Sequence, residues 1–184
     1  NCTAVGYNAL TANTAVGSTA VGHQCLRANT SGAGNVAMGA KALFSNTTGQ
    51  YNIAIGADSL QQNTTATNNV AVGHDALKAN TTGSNNVAIG LNALDTNTTA
   101  SENVAIGRSA MQSNTAGSGQ TAVGDQALDQ NTTGSNNVAV GNDALLLNTT
   151  GGLNTAVGSF ALDANTTADG NTAFGYNAAG SNTT

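Results

Sequence analysis

Charge is scarce in this sequence. Four Lys and Arg and nine Asp and Glu make up 7% of 184 residues, for a net charge of -5. The four bases, Arg27, Lys41, Lys78 and Arg108, are scattered. Nucleic-acid binding rests on clustered Lys and Arg that neutralise phosphates, so that class of partner is excluded. No apolar run reaches the length of a membrane-crossing helix, which excludes membrane insertion by that route. Aromatic residues are 3%, and Pro and Trp are absent. Such low-complexity composition often marks disorder. Strict periodicity argues otherwise here, because a disordered chain has no reason to hold Val, Ala and Leu in register.

The chemistry of active sites is missing as well. His23 and His74 share a register but fall three repeats apart, about 14 Å at strand spacing, too far for one metal ion. No Cys, His and Asp spacing fits zinc. The Asp residues do not form the Gly-Asp nonapeptide of calcium-binding rolls. No pair of carboxylates recurs within one repeat for acid–base work. The many glycines form no phosphate-binding or dinucleotide fingerprint. The expectation is a non-enzymatic chain with no cofactor and no metal. Cys2 and Cys25 occupy different registers of adjacent repeats and read as substitutions into small-residue slots, although a disulfide is open.

What the sequence does have is repetition. Glycine recurs at Gly6, Gly22, Gly39, Gly56, Gly73, Gly90, Gly107, Gly124, Gly141, Gly158 and Gly175, every 17 residues after one step of 16. A fixed period of this length is the mark of a solenoid, in which each repeat is one turn and only stacking makes a core. Residues 1–184 therefore form a single repeat domain of eleven coils. The chain begins and ends inside the repeat, as a segment of a longer fibre or a mature product would. Eleven turns at about 4.8 Å give a rod on the order of 50 Å long.

Aligned on that glycine, the copies resolve into columns. Val, Ile or Thr stands three residues before it, Ala two before, and Val, Ile, Met or Phe one before, as in Val70-Ala71-Val72. The β-branched run followed by glycine predicts a short strand and a turn. Side chains alternate along a strand, so the larger residues are expected to point inward. The other face would carry Asn, Ala and Gly without charge. Ala37, Ala54, Ala71, Ala88, Ala105, Ala122, Ala139 and Ala156 would form a close-packing face, against another part of the coil or a neighbouring chain.

After the glycine comes a Gly-x-x-Ala-Leu segment whose Leu is the largest regular apolar side chain. The spacing fits one helical turn or a bent second strand and leaves both open. Next is an invariant Asn column: Asn13, Asn29, Asn46, Asn63, Asn80, Asn97, Asn114, Asn131, Asn148, Asn165 and Asn182, each followed by Thr. Stacked at strand spacing, these carboxamides can bond from rung to rung and satisfy one another when buried. Charges occur just after the glycine (Lys41, Asp58, Asp75, Arg108, Asp125, Asp143), just after the Leu (Arg27, Lys78, Asp95, Asp129, Asp163), and in the return loop (Glu102, Asp169). Charge is thus confined to edges and corners. Leu145–Leu147 together would make a local contact patch on such an edge.

The segments Asn52–Gly56 (NIAIG), Asn86–Gly90 and Asn103–Gly107 (NVAIG), and Asn69–Gly73 and Asn137–Gly141 (NVAVG) resemble the repeat motif of YadA-like head domains of trimeric autotransporter adhesins. Similar repeats occur in phage tail fibres. The resemblance touches every repeat, over about five residues of each. It departs in the longer repeat and the added Ala-Leu-x-x-Asn-Thr-Thr stretch. The neck, coiled-coil stalk and membrane anchor of such adhesins are not in this sequence. It implies a parallel β-roll, three chains side by side, and surface attachment.

The combined expectation is an all-β parallel β-solenoid at the cell or virion surface. It would serve as an extracellular fibre or adhesin segment that presents variable edges to a host-surface receptor. Its partner would be itself, as a homotrimer or an end-to-end filament. An ice-binding solenoid built on Thr ladders is the further alternative. It is weakened because the Thr columns are adjacent rather than one residue apart.

Overall fold

A computed structural model describes residues 1–183. Eleven strands of three residues each, from β1 (Thr3–Val5) to β11 (Thr172–Phe174), form one sheet in sequence order. Every pairing is parallel and advances one repeat, as in Val70↔Val87, Ala71↔Ala88 and Val72↔Ile89. The described residues contain no helix. This is a parallel β-solenoid, one strand per coil.

The Gly-x-x-Ala-Leu segment is neither the helical turn nor the second strand that its spacing allowed. It is a turn in which alternate residues take positive φ, as at Lys41 (+56) and Leu43 (+51). A helix would keep its hydrogen bonds within the segment. Here Lys41 N–H donates back to the previous coil at His23 O (2.9 Å), and Leu43 N–H donates on to the next coil at Ser59 O (3.0 Å). Between them, Ala42 and Phe44 close short internal turns onto Gly39 O (3.4 Å) and Lys41 O (3.2 Å). The corner is thereby bonded both up and down the axis. Left-handed conformation costs a non-glycine residue about 1–2 kcal/mol. Burial of the Leu side chain, worth roughly 1.5–3 kcal/mol, offsets it. Leu26, Leu43, Leu60, Leu77, Leu94, Met111, Leu128, Leu145 and Leu162 are all buried.

The inward and outward faces of the strands are the reverse of the expectation. Ala37, Ala54, Ala71, Ala88, Ala105, Ala122, Ala139 and Ala156 are fully buried in the coil's own core, so of the two alternatives they pack against another part of the coil and form no face for a neighbouring chain. Their flanking Val and Ile residues point outward. The reason is space. The Leu column already fills the interior, with the alanines after the glycine beside it. Across so thin a layer only a methyl fits opposite. The columns whose residues vary in size are the ones under no such limit.

The glycine column enforces the same closeness between coils. Gly39 has φ +135, and a Cβ built on it would lie 2.5 Å from Gly56 O of the next coil. Gly39→Ala is therefore expected to lower stability by about 3 kcal/mol, from conformational strain and the backbone clash together. Thermal or urea unfolding measures it, and a loss within about 0.5 kcal/mol, the range of an ordinary surface change, contradicts the close approach.

Candidate functional site

The predicted Asn column is a continuous hydrogen-bonded ladder. Asn29 Nδ2 donates to Asn13 Oδ1 (2.6 Å), Asn46 to Asn29 (2.7 Å), Asn97 to Asn80 (3.0 Å) and Asn165 to Asn148 (2.8 Å), with the same bond at every step between. The second Nδ2 hydrogen donates within the coil, as from Asn97 to Ala100 O at 3.0 Å. The run of carboxamide bonds ends at Asn165, whose Oδ1 is buried without a partner. Asn182, in the last coil, is partly exposed. The following Thr column ties neighbouring coils again: Thr81 Oγ1 donates to Thr98 O at 3.0 Å.

A second polar ladder was not recognised in the sequence. It runs through Asn35, Asn52, Asn69, Asn86, Asn103, Gln120, Asn137 and Asn154, four residues before each glycine and all buried. Here Asn86 N–H donates to Asn69 Oδ1 (2.9 Å), and Asn86 Nδ2 donates to Ala100 O (3.0 Å). Gln120, one methylene longer, reaches across to Asn114 Oδ1 (3.1 Å) and links the two ladders. The signal was present as an Asn column. Assigning the alanines outward carried these asparagines outward with them, since both lie on one strand face.

Among the described residues, the outer sheet face is a continuous surface without a partner. Its two columns hold only Val, Ile, Thr, Met and Phe across eleven strands, with no charge. Ile53, Ile55, Ile89 and Ile106 are 37–39% exposed. At strand spacing the stripe covers on the order of 500 Å², beyond the scattered apolar exposure of ordinary surfaces. Exposed Tyr51, Leu91, Leu153 and Tyr176 flank it.

The charged columns line an adjacent edge. Arg108 pairs with Asp125 one coil on (2.7 Å), and Lys78 with Asp75 in its own coil (3.0 Å). Hydrogen bonding to Asp75 raises the Lys78 pKa. Burial pushes up the carboxyl pKa values of Asp95, Asp129 and Asp143, with neighbouring Asp charges adding to each. Asp125, Asp129, Asp143 and Asp163 each keep one carboxylate oxygen buried without a partner.

His74 lies with Asp58 and Asp75 so that one ligand atom from each falls within 4.8 Å of the others, a grouping that matching the two histidines overlooked. Its atoms are already engaged. His74 Nδ1 meets Asp75 Oδ2 at 3.0 Å, and Gln61 Nε2 donates to Asp58 Oδ1 at 2.6 Å. Cys2 is exposed and Cys25 buried, both as free thiols, and burial pushes the Cys25 thiol up to about 11.

Compared with protein-family models, curated proteins and solved structures, the chain matches none. The reading of the site therefore rests on its own geometry.

Asn97→Ala would strand Asn80 Oδ1 and leave one Asn114 Nδ2 hydrogen without its acceptor, while Ala100 O would keep its bond from Asn86 Nδ2. At about 1–3 kcal/mol per buried orphan, the expected loss is at least about 2 kcal/mol. Exposed Thr99→Ala should stay within about 0.5 kcal/mol. Equal losses in chemical unfolding would contradict a stabilising ladder.

Because folding raises the pKa of Asp95, Asp129 and Asp143, the folded chain holds protons that the unfolded chain releases. Stability must then fall as pH rises through that window and grow as pH is lowered into it. Melting temperature is expected to increase as pH is lowered from about 7 toward the ordinary carboxylate range at about 4, with a flatter profile in Asp143→Asn. A decrease over the same interval contradicts the assignment.

Proposed function

We propose that the chain is a non-enzymatic structural rod, a fibre or adhesin segment at the cell or virion surface, that associates side by side with copies of itself. The observation that carries this reading is the uncharged Val/Ile/Thr face. A monomer that leaves so continuous an apolar stripe in water is unfavourable, and burial against other copies removes it. The resemblance to YadA-like head repeats supports three chains side by side. The charged columns and the variable edge residues stay outside such an interface and are free to meet a receptor.

A second reading has one observation in its favour. Thr48, Thr65, Thr82 and Thr99 form a regular exposed column. Their neighbours are committed to the next coil, as Thr81 is. Only one free Thr column is therefore offered to ice, which favours the fibre reading over ice binding.

Light scattering on a sizing column separates these. A mass three times that of the chain is expected, and Val87→Lys with Ile89→Lys should reduce it to one chain with the circular dichroism spectrum unchanged. A monomeric parent chain contradicts the proposal and makes ice recrystallisation the next assay. Elution in the void volume points instead to an end-to-end filament.

A further inference from the structure

The first Asn ladder contains a repeated modification motif. Asn29, Asn46, Asn63, Asn80, Asn97, Asn131, Asn148 and Asn165 are each followed two residues later by Thr or Ser, the acceptor pattern for N-linked sugar. That pattern ordinarily marks an exposed loop. Here every one of these asparagines is fully buried. We infer that they are N-glycosylation acceptors open only to the unfolded chain, so that sugar attachment and closure of a coil exclude one another.

The chemistry makes the exclusion strict. In the transfer, Asn Nδ2 attacks the anomeric carbon of a diphosphate-activated sugar. The new N–C bond forms as the C–O bond to the diphosphate breaks. The diphosphate leaves with that electron pair, and Nδ2 loses one proton to a base on the transferase. In the folded coil both Nδ2 hydrogens are already donated; those of Asn80 go to Asn63 Oδ1 (3.1 Å) and Gly83 O (2.9 Å). A glycosylated Nδ2 keeps only one hydrogen, so one of these bonds is lost. There is also no room for the sugar. Even a Cβ added at Gly83 would lie 2.6 Å from Asn80 Oδ1.

The motif arises from separate structural demands. The ladder needs Asn, and the next residue's hydroxyl bonds the following coil. The third position is the solvent-facing Thr column. Asn114 separates ladder from motif, because it occupies the ladder but has Ala116 in the third position. Asn1, followed by Cys2 and Thr3, has the motif at an exposed place.

The test uses the full chain made by cell-free translation, with a soluble transferase that adds one hexose from a nucleotide-activated sugar to Asn-x-Ser/Thr. The transferase and UDP-glucose are supplied either during synthesis or after folding, and peptide masses locate the hexose. Supplied during synthesis, hexose is expected on ladder asparagines, and the modified chains should be cleaved by protease where unmodified chains resist. Supplied after folding, modification of those sites should be at least about tenfold lower, because it must await local opening, while Asn1 is modified. Equal modification in both orders overturns the inference. So does protease resistance in chains that carry hexose at Asn97. So does absence of ladder hexose in either order when a control acceptor peptide in the same tube is modified.

Discussion

A carboxamide buried away from water must find partners for two donors and an acceptor, and an isolated one is costly. Along the first ladder each step is a bond between the same residue of adjacent coils. Asn97 donates to Asn80 and accepts from Asn114, and its remaining hydrogen closes its own coil on Ala100 O. Such an arrangement works only if every coil brings its Asn to the same place, and the one 16-residue step, from Asn13 to Asn29, still does so at 2.6 Å. The 17-residue period follows from that requirement as much as from core packing. A slip of one residue would orphan carboxamides along both ladders at once.

The narrow interior follows from the same stacking. One Leu per coil supplies the bulk, and alanines fill the remaining space. Where coils touch through their glycines there is no space for a Cβ. Polar ladders at two corners leave little room for a wide apolar core. The larger β-branched residues are accordingly turned outward, and this geometry creates the exposed Val/Ile face. The proposed self-association would thus follow from how the coil is filled, with its interface on the strands and the charges elsewhere.

Much of the architecture was readable before the structure. The spacing of Gly39, Gly56 and Gly73 revealed the coil, and the Asn-Thr pairs revealed one ladder. The direction of the strand was misread because Val70 and Val72 are more hydrophobic than Ala71. Uniform size was the better guide: a column that is Ala in every copy has no room to vary. The second ladder, through Asn69 and Asn86, was lost with the same inversion. The corner at Lys41–Leu43 was not readable, because left-handed Leu is disfavoured in isolation and becomes tolerable only when the neighbouring coils accept its amide and bury its side chain. The grouping of His74 with Asp58 is hidden from the sequence because it joins two coils, and neither repeat contains it alone.

The most direct test of the ladder is hydrogen exchange at the Asn side-chain amides, followed by NMR on selectively labelled protein. The carboxamide hydrogens of the interior asparagines, from Asn46 to Asn148, should exchange more slowly than those of exposed Asn85 and Asn136, by at least about a hundredfold if opening one rung costs some 3 kcal/mol. Equal rates for the two sets would contradict the claim that buried carboxamides hold the coils together.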